Sequence, residues 1–475
     1  MLSRRAFVAG LAPAFARGAS RRPPNLVLIV TDDLGWRDTG YNGSRFYETP
    51  HVDRLARGGM EFSNGYSASP VCSPTRAAIM TGKYPARLGL TSHLQGAHRL
   101  HYSKVIPPPV RLQLPLEEVT IAELLKGAGY RTAAIGKWHL GGEGFLPGAQ
   151  GFDVAVGGDT AGSTNSFFYP EWKKKIPLNG AREGEYLTDR LTDLAVQFIR
   201  QSANQPFFLY LPHYAVHVPI EAKPELIPHY EKKVRADDPQ NYPTYAAMLQ
   251  SVDESVGRVL DTLDQLKLAE NTLVVFTSDN GGVSSREWRN RPITSNLPLR
   301  AGKGHLYEGG IRVPLVVRWP GVTKTGTVCD EPVLSVDFAP TLAEAAGVRG
   351  APVPRMDGMS LLPLLRGSKR LNRERIYWHY PHYSPQLGRP SAAVREGDWK
   401  LLRFFEDGHE ELYNLRRDVG EQQDLSARES ATAQRLSAHL TAWLKQTGAR
   451  LPTPNPKYDP AREREPGPPM GPVPK

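Results

Sequence analysis

The sequence predicts an α/β fold, a large mixed and mainly parallel sheet flanked by helices, followed by a smaller C-terminal α+β subdomain containing an antiparallel sheet. Three observations carry this expectation. Short apolar, β-rich runs alternate with amphipathic helical stretches through the first three quarters of the chain. Each of four such runs ends in a cluster of polar residues. Beyond about residue 375 the alternation gives way to aromatic-rich runs with turns between them, the spacing of antiparallel strands.

In chain order, Asn25 to Val30 (NLVLIV) is apolar without alternation, as a strand buried on both faces must be, and it ends in Thr31-Asp32-Asp33. Thr120 to Gly127 is an amphipathic helix stopped at Gly129-Tyr130, and the strand Arg131 to Ile135 follows it and delivers Gly136-Lys137-Trp138-His139. Glu185 to Gln201 is a helix, and the strand Pro206 to Tyr210 delivers His213 and His217. Tyr245 to Leu266 is a long helix, and Asn271 to Phe276 is a strand ending in Ser278-Asp279-Asn280-Gly281-Gly282. In open α/β sheets ligands bind beyond the carboxyl ends of the strands, so these polar clusters are the candidates for a site. Toward the C-terminus, IYWHYPHY and SAAVREGDWKLLRFFEDGHEELYNLR read as antiparallel strands, and Ala427 to Gln446 as a terminal amphipathic helix. The stretch from Pro452 to Lys475, with nine prolines, reads as an extended or disordered tail. The expected division is 1–22 as export signal and linker, 23–374 as catalytic domain, 375–450 as C-terminal subdomain and 451–475 as Pro-rich tail.

Composition narrows the function classes. Two cysteines in 475 residues exclude a dense disulfide scaffold. A net charge of +10 favours anionic substrates. Lysines and arginines are scattered and no recognition module is present, which argues against nucleic acid as a partner. The N-terminus, MLSRRAFVAGLAPAFARGAS, matches a twin-arginine export signal at Ser3, Arg4, Arg5 and Phe7, with Ala14-Phe15-Ala16 as a cleavage site. Its apolar stretch, Ala6 to Ala16, falls short of the roughly 20 residues that span a bilayer. A periplasmic or secreted protein without stable membrane insertion is the expectation.

Asp32, Asp33, Asp279 and Asn280 supply the hard oxygen ligands that calcium or magnesium requires. Either pair alone reads more readily as a turn former or helix cap. Lys137 and His139 lie in GKWHLG, His217 in HVP and Lys303 in AGKGHLYEGG; taken singly, each lysine is a solvated charge and each histidine a structural group. Cys72, in VCSPTRAAIMTGKYP, taken alone is a small buried side chain ahead of a helical run from Thr75 to Met80.

Together these residues resemble the type I sulfatases, the formylglycine-dependent branch of the alkaline phosphatase superfamily. The resemblance runs in order from Asn25 to Gly321 through TDDLGW, CSPTRAAIMTG, GYRTAAIGKWHLG, HVP, SDNGG and GKGHLYEGGIRVP, and is looser beyond. It implies an alkaline phosphatase-like fold and hydrolysis of sulfate esters of aryl alcohols or carbohydrates. It also implies that Cys72, in a CxPxR context with Pro74 and Arg76, is oxidised by a formylglycine-generating enzyme. By the same resemblance Asp32, Asp33, Asp279 and Asn280 hold one divalent cation, calcium before magnesium, which also touches residue 72. Arg76 stabilises the oxidised residue, a diol oxygen attacks sulfur, and Lys137 and Lys303 clamp the sulfate. His217, with Lys303, protonates the leaving alcohol, and His139 takes the proton that releases sulfate. His305 is placed near the leaving group, loops GGDTAGSTNS and SSREWRNRPITSNLPLR are expected to shape the pocket, and Arg286, Arg289 and Arg291 of the second loop read either as ligands for a further sulfate or carboxylate or as a solvated loop. Cys329 is read as an ordinary thiol. A phosphonate or phosphodiester hydrolase of the same superfamily, and an unmodified protein that only binds sulfated glycans, remain alternatives.

Overall fold

The computed structural model describes residues 22–94, 100–176, 178–284, 287–288, 291–348 and 354–465. The expected export signal, Arg286, Arg289 and the last ten residues lie outside the described residues. An eight-stranded sheet runs in the order Thr327–Cys329, Met60–Phe62, Leu315–Arg318, Thr272–Ser278, Asn25–Thr31, Phe207–Pro212, Arg131–Ile135, Val154–Val156. The last five are mutually parallel, and Leu315–Arg318 is antiparallel to both of its neighbours, so the sheet is mixed.

The central strand shows why NLVLIV has no polar alternation. Val27 and Ile29 join one apolar cluster with helices Pro50–Arg57, Leu187–Gln201 and Pro243–Gln265. Leu26, Leu28 and Val30 join another with Cys72–Thr81, Ile121–Gly127 and Phe338–Ala345 on the opposite face. Both faces are covered, so both sets of side chains must be apolar. Local signals agree with this packing. Thr120 and Glu123 form a reciprocal capping box that starts Ile121–Gly127. Asp253, on Pro243–Gln265, accepts the N–H groups of His51 and Val52 at 3.0 and 2.8 Å and so caps the neighbouring helix across the interface.

One helix begins earlier than its sequence suggests. Cys72 is the first residue of Cys72–Thr81 and does not merely precede it, with Val71 as an extended N-cap. Pro74 falls in the first turn, where its missing N–H would have had no partner within the helix.

At the C-terminus, Arg375–Tyr380, Ser391–Glu396, Trp399–Phe404 and Glu410–Asn414 form an antiparallel sheet. Helix Ser430–Thr447 packs Leu436, Leu440 and Trp443 onto it, within a cluster that also takes in Tyr66, Val71 and Ala78. This sheet is fastened to the core by buried charge: Lys400 bonds Glu308 and Glu421, both at 2.9 Å, with all three side chains fully buried. Of the two states expected for the tail, extended or disordered, its described part takes the extended one. Thr453–Pro454 pairs with Val105–Ile106, and Asn455 donates to the carbonyls of His101 and Ser103, so the described part of the tail is pinned to the body. Among the described residues, no helix is long and apolar enough to cross a membrane.

Candidate active site

Strand register builds the centre. Thr31 pairs with Ser278 across the two central parallel strands, so the next residues, Asp32 and Asp279, emerge side by side at the carboxyl edge. Asp33 takes a left-handed backbone, φ 64°, which turns the chain out of the strand. The neighbouring strands contribute from one side. Gly136, φ 124°, sits where a Cβ would lie 2.0 Å from the carbonyl of Pro212, and this close approach lets Lys137 bond that carbonyl through its N–H.

The charges then interlock. Lys137 Nζ lies 2.5 Å from Asp32 Oδ2, Lys303 Nζ 2.6 Å from Asp33 Oδ1, and Arg76 Nε 2.8 Å from Asp279 Oδ2. Asn280 Nδ2 donates to Asp33 Oδ1 at 2.8 Å. His217 Nδ1 lies 2.8 Å from the carbonyl of Val218, and Nε2 lies 3.6 Å from Asp33 Oδ2. Burial and the neighbouring Asp279 push the Asp32 carboxyl up to about 8, despite Lys137. Burial acts the same way on Asp33, but Lys303 and His217 hold it well below the usual carboxylate range. Burial lowers both histidines, His217 to about 3 and His139 well below its ordinary value, with Lys303 and Lys137 adding to it. Burial raises the Cys72 thiol, so as a cysteine it is a weak nucleophile at neutral pH.

The fit of a cation to this nest is tested by its polar atoms. Asp32 Oδ1 and Asn280 Oδ1 are buried and lack a hydrogen-bond partner in the protein. Ligand atoms of Asp32, Cys72 and Asp279 lie within 4.8 Å of one another, as do those of Asp32, Asp33 and His217. Oxygen atoms of three carboxylates and one amide, two of them unsatisfied, suit a hard divalent cation.

Cys72, His139, His217 and Lys303 line a cavity of about 200 Å³ that opens above this nest. The cavity is also lined by Gly162 and Ser163 of the expected GGDTAGSTNS loop. Gly162 is held to glycine by contact, because a Cβ there would meet the His139 ring at 2.5 Å. Two further groups, His93 and Gln386, were not expected, and nothing in their local sequence marks them. Two weaker expectations resolve. His213 is buried at 3.1 Å from Ser255 Oγ and is not among the cavity's lining residues, which supports the preference for His217. His305 Nε2 lies 2.8 Å from the carbonyl of Gln386 and does not line the cavity, so it supports the wall instead of meeting a leaving group. Cys329 lies half-buried at the sheet's edge. Arg291 falls in a two-residue strand, Arg291–Pro292.

A mixed sheet that gathers carboxylates, lysines and a helix N-terminus at one edge, with a separate antiparallel C-terminal sheet, agrees with the class that the motifs implied, the hydrolases of the alkaline phosphatase superfamily. Comparison with known proteins is more specific. The family profile described as Sulfatase matches residues 24–348, and that described as N-sulphoglucosamine sulphohydrolase, C-terminal, matches residues 301–449. A sulfatase of Formosa agariphila is 33% identical over 92% of both chains. Human arylsulfatase A is 36% identical over 85% of this chain and 78% of its own. The crystal structure of Ps i-CgsB in complex with k-i-k-neocarrahexaose superposes with a TM-score of 0.76 at 32% identity, covering 92% of this chain and 95% of that one. The chain belongs to the sulfatase family and is a sulfuric ester hydrolase.

Proposed function

We propose that this sulfatase works through Cys72 oxidised to formylglycine, with Asp32, Asp33, Asp279 and Asn280 holding one divalent cation, calcium in preference to magnesium. The observation that carries the reading is the place of Cys72: first residue of a helix, lining the cavity, with its sulfur within 4.8 Å of carboxylate oxygens of Asp32 and Asp279. Formylglycine, once hydrated, offers two hydroxyls on one carbon, so that one can attack sulfur and loss of the other's proton can release sulfate by C–O cleavage. A divalent cation in the nest would lower the pKa of an attacking hydroxyl and neutralise sulfate charge.

The remaining groups have roles that follow from their surroundings. The N-terminal amides of Cys72–Thr81 favour anionic oxygen at residue 72. Arg76, bonded to Asp279 and to the carbonyl of Lys137, fixes that carboxylate and the Lys137 loop in place. Lys137 and Lys303 bring positive charge to the sulfate oxygens. His139 is kept neutral by burial and can accept a proton. Lys303 and His217 both line the cavity and supply the proton to the leaving alcohol, His217 once the negative charge of a bound sulfate has raised its imidazole from the low value set by burial. The substrate is a sulfated aryl or carbohydrate ester, in keeping with the chain's net charge of +10.

Maturation is constrained by burial. Cys72, Pro74 and Arg76 are buried in the fold, with Arg76 fully so, and a formylglycine-generating enzyme has to read all three. Oxidation therefore has to precede folding of this segment, and with twin-arginine export of a folded chain it has to occur before or during passage to the periplasm.

Turnover of an aryl sulfate compared with matched phosphate mono- and diesters tests the activity. The sulfate is expected to be the preferred substrate, a chelator to abolish its turnover and calcium to restore it; faster phosphodiester turnover would overturn the reading. His217→Gln is expected to lower kcat/KM on a poor alkyl leaving group by about 10²–10⁴-fold and on a nitrophenyl leaving group much less, as loss of a general acid requires. Equal losses on both would remove His217 from that role.

A further inference from the structure

We propose that a second cavity, beside the first, is a subsite for sugar residues beyond the one carrying the scissile ester, so that the preferred substrate is a sulfated oligosaccharide. This rests on the sulfatase reading above. The cavity has a volume of about 410 Å³ and shares Pro385 with the Cys72 cavity. The turn from Ser384 to Gly388 is their common wall: Gln386 lines the first, while Leu387 and Gly388 line the second. Its size falls in the range of about 300–1,000 Å³ typical of ligand sites.

The chemistry of its walls suits a carbohydrate. Leu387 is 59% exposed and holds a left-handed backbone, φ 69°, a conformation unfavourable for leucine. With Pro385 it offers an apolar ledge for the C–H face of a sugar ring. The polar lining includes Lys104, Arg389 and Arg464 as donors and Glu406, Asp407 and Glu463 as acceptors. Arg389 is held by Glu406, whereas Lys104 and Arg464 make no ion pair among the described residues and remain available to hydroxyls or to a second sulfate. A small aryl sulfate would fill only the first cavity and would leave this one unused.

The C-terminal stretch has a purpose in this arrangement. Asn455 bonds the carbonyls of His101 and Ser103, its N–H bonds that of Lys104, and the Arg462 guanidinium lies 3.7 Å over the Tyr102 ring. These contacts fix the wall that bears Lys104 and bring Arg464 to the rim.

The test compares kcat/KM on a panel of sulfated hexasaccharides of galactan, chondroitin and heparan type, on the matching monosaccharide sulfates, and on an aryl sulfate. Wild type, Leu387→Asn and Lys104→Ala are used, each with formylglycine content verified by mass. Asparagine accepts the left-handed backbone, so Leu387→Asn removes apolar surface without a new strain. At least one hexasaccharide is expected to exceed its monosaccharide by about tenfold or more, and both substitutions to shrink that ratio, mainly through KM. No advantage for any hexasaccharide, or an advantage that survives both substitutions, overturns the subsite while leaving aryl sulfate turnover to support the underlying reading. Failure on every sulfate ester overturns both.

Discussion

Cys72→Ala, produced together with the modifying enzyme, is expected to lose at least about 10³-fold in kcat/KM on an aryl sulfate, the scale on which removing a nucleophile acts. The substitution deletes one sulfur from a helix whose N-cap is a backbone feature of Val71, so the fold should survive and the cation should still bind. Cys72→Ser is expected to fare little better, because a serine sulfate would need a second attack at sulfur where a hydrated aldehyde releases sulfate internally. Steady-state kinetics on an aryl sulfate, with circular dichroism as the check on folding, measures this. Undiminished turnover by Cys72→Ala would remove residue 72 from the chemistry.

The largest effect on stability is expected at Lys400→Met. Lys400 is fully buried between Glu308 and Glu421. Glu308 keeps Arg312 and the Tyr66 hydroxyl as partners, but Glu421 has no other cation among the described residues. Removing one member of a buried charge network costs about 3–5 kcal/mol, because the remaining charge is left uncompensated in a dry interior. The loss should depend on pH with a definite sign. Burial, with Glu308 beside it, already raises the Glu421 carboxyl from 4.5 to about 7, and loss of Lys400 raises it further. A carboxyl whose folded pKa lies above its unfolded one stabilises the fold below the unfolded value and loses that contribution as pH rises through the folded value. The variant is therefore expected to be closest to wild type near pH 5 and furthest from it near pH 8. Chemical denaturation at the two pH values reads the difference; a variant equally stable at both would contradict the account of this network.

How much was legible in the sequence follows from how each element is buried. Asn25–Thr31 and Thr272–Ser278 are covered on both faces, and their unbroken apolar runs announced it. Arg131–Ile135 has the same limits in the structure as in the sequence reading, because Gly129 and Gly136 bound it. The edge strands Val154–Val156 and Thr327–Cys329, and Met60–Phe62 next to the latter, have three residues each, too few for any periodicity to register. Nor could the direction of Leu315–Arg318 be read, since a run of three apolar residues looks the same parallel or antiparallel. At the site, the residues that follow strand ends were readable because position and residue type coincide: Asp32, Asp33, Lys137, His139, His217, Asp279 and Asn280 all come together. His93 and Gln386 were not, because they reach the cavity through loops whose path is set by tertiary contacts, such as the bond between His305 and the Gln386 carbonyl. Cys72 as the first helical residue was missed for a local reason: Ser73-Pro74 reads as a turn until the proline is seen to occupy the first turn of the helix.

The most direct test of the central claim pairs two quantities on the same samples. The protein is produced with graded amounts of the modifying enzyme, and the fraction of residue 72 in which one oxygen replaces sulfur and two hydrogens is measured by peptide mass. Aryl sulfate turnover is then plotted against that fraction. Proportionality through the origin is the expected result; full turnover by protein whose residue 72 is still cysteine would contradict it.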